Sequence, residues 1–144
     1  MNANDDNPMP NGEMSLQTIA MPKDTNASGD IFGGWLLSQM DIAAGICAGQ
    51  RAQGRVVTVA VESMSFIRAV KVGDILGLYT QIAELGRTSM VVHVEAWVRR
   101  DRIGLREKVT EGKFKFVALD ENGQSTPVPS ADELPDYARE MCEL

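Results

Sequence analysis

The chain has 144 residues, enough for one domain built round a single core. A formal charge of −6 leaves no broad basic face, which excludes nucleic acid as the main partner. No apolar run approaches the ~20 residues of a membrane span, and the opening MNANDDNPMPNGEM is polar and acidic without an apolar signal region. The expectation is a soluble cytoplasmic protein with no membrane partner.

In chain order, residues 1 to about 13 read as a disordered tail, and a short strand, SLQTIAM, ends at Pro22. The loop PKDTNASG is rich in turn formers and leads to Asp30, whose carboxylate is a good N-cap for a helix beginning just after it. That helix is predicted from about Phe32 to Arg51, with Gly54 closing the turn at its end. From Arg55 to Leu119 everything reads as strands. In RVVTVAVESMSFI, Val57, Val59 and Val61 fall on one face at a period of two. A turn at KVGD precedes DILGLYTQIAEL, and the turn LGRTS joins that to MVVHVEAWV, where apolar residues alternate as in a half-buried strand. After the charged connection RRDRIGLREK comes VTEGKFKFVALD, with Phe114, Phe116 and Ala118 opposing Lys113 and Lys115. A strand, one long helix and four strands in meander predict an α+β domain whose curved antiparallel sheet wraps a single helix. That domain spans residues 14–128. The tail from 129 to 144 is read as loose, with a short terminal helix.

Asp41 is the only charged residue between Asp30 and Arg51, and it interrupts a helix that is apolar nearly all round. Such a helix is normally wrapped by protein. Isolating a carboxylate there costs several kcal/mol unless it is paired or takes up a proton. Two readings are open: a catalytic carboxylate, or one held by backbone donors at a subunit boundary for structure alone.

Gly33 and Gly34 stand in the first turn of the helix, where N–H groups lack intrahelical partners and the macrodipole is positive. Two glycines there let a ligand approach the backbone and stabilise a developing oxyanion; the alternative is tight packing of the helix start against a strand. Asp30, just ahead of them, is a second carboxylate, either a cap or an aid in orienting water or substrate. Eight residues separate Gly33 from Asp41, about 12 Å along the axis. A base and an oxyanion donor must each reach within about 3 Å of one reacting group, which one helix cannot satisfy alone. Two copies running antiparallel across a twofold axis can, so the spacing predicts an obligate homodimer with composite sites.

Anion-binding candidates are Arg68 beside Lys71 at one turn, and the hairpin Arg87, Thr88 and Ser89. The basic cluster from Arg99 to Lys108 reads as a solvated loop. Cys47 sits in the apolar helix and Cys142 near the C-terminus, with no disulfide framework or zinc spacing. His93, the single histidine, has no sequence-local partner and reads as a strand residue on a polar face, so neither a metal site nor a Ser-His-Asp triad is expected on it.

Taken together, AMPKDTNASGDIFGGWLLSQMDIAAG, GRVVTVAVESMSFIRAVKVGD and GRTSMVVHVEAWV resemble the YciA-like acyl-CoA thioesterases of the hotdog fold, from about Leu16 to Val128. The resemblance implies hydrolysis of acyl-CoA to free acid and CoA without metal or other cofactor, in dimers commonly assembled as trimers of dimers. It places the catalytic carboxylate on Asp41, the oxyanion-binding amides on Gly33–Gly34, and an acidic position of less settled role on Asp30. Ser28, where an asparagine is common, and Ala69, in place of a usual proline, are its departures. Asp41 as general base on a water is the favoured mechanism, with direct attack to a mixed anhydride as the alternative. Competing readings are a non-catalytic acyl-CoA sensor, which predicts loss of the helix carboxylate, and a hydratase, which needs a histidine near the helix. Trp35, Met40, Met64 and Phe66 are candidates for the acyl channel, each equally readable as core.

Overall fold

A computed structural model describes residues 8–100 and 104–141. It contains β1 (Glu13–Ile19), α1 (Gly33–Ala52), β2 (Arg55–Phe66), β3 (Ile75–Leu85), β4 (Ser89–Arg99), β5 (Glu107–Leu119) and α2 (Asp136–Met141). Short 3₁₀ turns lie at Pro22–Asp24 and Ala131–Glu133. The five strands form one antiparallel sheet in the order β1-β3-β4-β5-β2.

The helix packs into the concave side of this sheet because one of its faces is small or flexible and wholly apolar. Leu36, Met40, Ala43, Ala44, Cys47 and Ala48 are buried at helical spacing. They meet Leu76, Leu78, Val92, Val94, Phe114 and Phe116, the inward residues of three adjacent strands. The alternation expected in β4 and β5 is present: Val92 and Val94 point inward, as do Phe114, Phe116 and Ala118. Gln53 ends the helix in the left-handed region at φ 54°, and Gly54 donates back to the Gly49 carbonyl.

Two expectations about the strands are corrected. The last four strands are not a plain meander, since β2 pairs with β5 rather than with β3. The sheet curls round α1, so the strand leaving the helix reaches the far edge, and only β3, β4 and β5 are successive neighbours. Val57 and Val61 do not share a face either. A bulge between Thr58 and Ala60 sets Val57 opposite outward Val117 but Val61 opposite buried Phe114. Where they are described, the two tails make contacts with the domain, and α2 is the short helix expected in the second. Asn11 bonds the carboxylate of Glu95, and Gly12 adopts φ 94° with its Cα against the Thr80 carbonyl, where a Cβ would come within 2.5 Å. At the other end Val128 donates to the Arg87 carbonyl, Arg51 donates to that of Pro129 at 2.6 Å, and Leu134 and Ala138 are buried. Residues 1–7 and Cys142 lie outside the described residues.

Two described basic residues that flank the charged connection after β4 are paired rather than free in solvent. Arg100 Nη1 lies 2.7 Å from the buried carboxylate of Asp74, and Lys108 Nζ 2.7 Å from Glu111. Arg102 falls outside the described residues. Among the described residues no helix is long and apolar enough to cross a membrane.

Candidate active site

The start of α1 has no side-chain cap. Phe32 is the N-cap residue, in extended conformation, and contributes no side-chain hydrogen bond to the first turn. Asp30 is therefore not the cap that its position suggested. Its backbone is closed into the preceding loop, where its N–H donates to Asn26 Oδ1 and its carbonyl accepts from Asn26 N–H. Ser28 N–H shares the same Asn26 Oδ1 at 2.9 Å. That closure, with the bridge between Thr25 and Ile31, delays the helix to Gly33 and leaves the Asp30 side chain exposed.

Gly33 and Gly34 are the first two helical residues, and both are exposed. Their amides have no intrahelical acceptor and stand at the positive end of a 20-residue helix. Packing does not demand glycine at either position. A Cβ on Gly33 would lie 3.6 Å from Phe66, and one on Gly34 3.4 Å from Phe32, ordinary contacts with side chains. The reading of these glycines as a tight helix–strand contact therefore fails. What they provide is bare backbone at an uncapped helix start.

Asp41 lies two turns further on, half-buried, on the flank of α1 that faces β2. Thr58 Oγ1 donates to its Oδ1 at 2.7 Å. Thr58 is an inward residue of β2, opposite Phe116, so the strand register fixes the donor beside the carboxylate. Sequence reasoning missed this residue; the sign available was a threonine among inward apolar positions, Val56 before it. It also missed Asn26, whose hydrogen bonds close the loop ahead of the helix.

Gly33, Phe32, Leu36, Phe66 and Arg68 line a cavity of ≈ 280 Å³ at the helix start. Arg68 is half-exposed there, with Nε 3.4 Å from Glu107. Of the acyl-channel candidates, Met40 is fully buried in the core, whereas Phe66 flanks this cavity. Arg87, Thr88 and Ser89 form the β3–β4 turn, beside Val117 and Ala118 near the C-terminal end of α1. One chain therefore does not bring them to Arg68.

The environment of Asp41 is open on one side. β2 is an edge strand, and Val57, Val59 and Val61 are 42–52 % exposed along it. On the helix, Ile42 (51 %) and Ile46 (39 %) face away from the core. An unpaired strand edge beside exposed isoleucines is a surface that a monomer rarely presents.

Comparison with known proteins agrees with this architecture. The family model described as the thioesterase superfamily matches residues 28–104. The acyl-CoA thioester hydrolase YciA of Salmonella typhimurium is 51% identical over 123 residues, covering 83% of this chain and 92% of that protein. Among solved structures, a hexameric broad-specificity acyl-coenzyme A thioesterase superposes with a TM-score of 0.84 at 47% identity, covering 92% and 90% of the two chains. An acyl-CoA hydrolase from Staphylococcus aureus, in complex with butyryl coenzyme A and coenzyme A, gives 0.74 at 31% identity, covering 80% and 70%.

Proposed function

Because the chain belongs to the thioesterase superfamily, among the YciA-type acyl-CoA thioester hydrolases, we propose that it hydrolyses acyl-CoA at composite sites between two subunits. The observation that carries the reading is the helix start: two exposed glycine amides without a cap, where packing would accept a side chain. The thioester carbonyl oxygen accepts hydrogen bonds from these amides, whose dipole favours the charge that develops on it. Asp41 of the other subunit takes a proton from water as its oxygen attacks the carbonyl carbon. The tetrahedral intermediate then expels CoA thiolate, which is reprotonated, and the acid leaves. Base, water and amide donors suffice, so this route uses no metal or cofactor.

Two subunits are needed because Asp41 and Gly33 of one helix stand about 12 Å apart. Antiparallel helices joined through the β2 edges set Asp41 of each copy towards the glycine turn of the other. The same arrangement carries the partner's β3–β4 turn towards the cavity holding Arg68, so Arg68 and Arg87–Ser89 together face the CoA phosphates. The similarity to a hexameric thioesterase supports three such dimers per assembly.

Free-thiol release from a panel of acyl-CoA chain lengths tests the activity; no release from any would move the reading to a sensor that binds without turnover. Subunit complementation tests the composite site. An Asp41→Asn protein mixed with a Gly33→Val protein, after dissociation and reassociation, should regain activity that neither has alone. Failure to regain it, with mixed oligomers demonstrated, rules out the shared site. Single turnover in oxygen-18 water separates the mechanisms: label entering the Asp41 carboxylate would show direct attack and a mixed anhydride.

A further inference from the structure

The sheet face turned away from α1 carries a polar cluster that thioester cleavage does not use. At its centre is Glu95 on β4, 1 % exposed. Its carboxylate accepts from Trp97 Nε1 at 2.9 Å, from the Asn11 backbone N–H at 3.2 Å and from Asn11 Nδ2 at 3.0 Å. His93 lies on the same face two residues earlier. Its Nδ1 stands 3.9 Å from Glu95 Oε2, and its Nε2 3.1 Å from Glu111 Oε2. Glu111 is the cross-strand partner of Glu95 on β5. Lys108 Nζ lies 2.7 Å from Glu111 Oε2 and 3.9 Å from Glu95 Oε2. The absence of a sequence-local partner for His93 is thus made good by strand pairing.

One atom here is unsatisfied. His93 Nδ1 is buried and has no hydrogen-bond partner among the described residues, a situation that costs about 1–3 kcal/mol and calls for an explanation such as a bound ion. Its 3.9 Å separation from Glu95 Oε2 is too long for a hydrogen bond. It is close to the span of two ligands on one ion, at about 2.0–2.2 Å each. We propose that His93, Glu95 and Glu111 form a structural site for a divalent cation of the Zn²⁺ or Mn²⁺ class, in which the Lys108 ammonium stands in when no metal is bound.

Ligand atoms of the three residues lie within 4.8 Å of one another. One imidazole with two carboxylates suits zinc and manganese better than the all-oxygen sites of calcium or magnesium. The donors from Trp97 and Asn11 orient Glu95 as outer partners orient a metal-ligating carboxylate. Two carboxylates against one ammonium leave net negative charge. A cavity of ≈ 260 Å³, lined by His93, Glu111, Glu62 and Lys113, gives an ion access from solvent. A metal bound there braces β4 against β5 and the Asn11 segment, on the opposite face from Asp41.

The test uses the full chain, stripped with chelator and titrated with Zn²⁺ and Mn²⁺ by calorimetry and with Co²⁺ by visible absorption. Saturable binding of one ion per chain is expected, with a rise in thermal midpoint. His93→Gln removes a ligand and should weaken it by more than the roughly 10- to 100-fold that loss of an outer-shell partner brings, and Lys108→Met, which removes the competing ammonium, should strengthen it. Should His93→Gln fail to fold, Glu111→Gln at the half-exposed position carries the same comparison. No saturable binding, binding unaffected by loss of a ligand, or affinity unchanged in Lys108→Met each overturns the site. None of these outcomes depends on whether the chain cleaves thioesters.

Discussion

Thr58 and Asp41, on different elements and 17 residues apart in sequence, are joined by a 2.7 Å hydrogen bond from hydroxyl to carboxylate. The bond engages Oδ1 and restrains the carboxylate; in the proposed reaction Oδ2 is then the oxygen that meets a water or the carbonyl carbon. Asp41→Asn should lower kcat by roughly 10²- to 10⁴-fold, the usual contribution of a positioned base. Thr58→Val, which keeps shape but removes the donor, should lower kcat with little change in KM, and Thr58→Ser should restore most of it. Steady-state kinetics on the three variants checks this; a Thr58→Val enzyme with unaltered kcat would show that Asp41 needs no such anchor.

Gly33 separates stability from activity. A Cβ there meets only Phe66 at 3.6 Å, and alanine in a helix is favoured over glycine by about 0.5–1 kcal/mol. Gly33→Ala should therefore leave the thermal midpoint unchanged or raise it slightly. If the amides bind the oxyanion, the methyl group crowds the thioester and turnover should fall by roughly 10²-fold or more. Melting curves and kcat measured on the same preparation decide between this and a purely structural glycine, for which both would move together.

Much of this architecture is legible in the residues themselves. The alternation in β4 and the lone carboxylate in an apolar helix come from local period and composition, and Asp41 and Gly33–Gly34 are singled out as candidates from the same local pattern. What is hidden depends on register. Thr58 becomes visible only when β2 is laid against β5 and not β3, a choice made by the curl of the sheet round α1. The bulge after Thr58 then breaks the apparent Val57–Val59–Val61 face, because one extra residue reverses side-chain direction. Asp30 misleads for a related reason: an N-cap signal is local, whereas Asn26 closes the loop around its backbone. His93 finds its partners two residues along and across the sheet, where a linear scan for ligand spacing does not look.

Acid should loosen the outer cluster. The hydrogen bond from Lys108 holds the Glu111 carboxyl below its ordinary value, aided by the charge of Lys108 and the bond to His93 and opposed by partial burial. A carboxylate with a depressed folded pKa adds stability above its unfolded pKa, about 4.3, and loses it as pH falls through the folded value. Glu111 is 46 % exposed, so solvent screening keeps the contribution below about 1 kcal/mol. Wild type and Glu111→Gln should differ in thermal midpoint at pH 6 to 7 and converge as the pH drops below about 4. A difference that persists unchanged into acid would show that the pair contributes through packing rather than charge.

The β2 edge gives the last test, because it joins assembly to catalysis. Val59 is 52 % exposed in the single chain and sits at the bulge of a strand with one unpaired side. A lysine on an exposed edge is a device that natural sheets use against edge pairing, and Val59→Lys replaces no buried contact of the protomer. The variant should keep its far-ultraviolet circular dichroism and lose its oligomer in light-scattering chromatography. If the site is shared between subunits, hydrolysis should fall at least roughly tenfold and recover as protein concentration rises, since reassociation obeys mass action. A folded, monomeric Val59→Lys protein with full turnover would show that Asp41 and Gly33–Gly34 work within one chain, which the ~12 Å between them on the helix argues against.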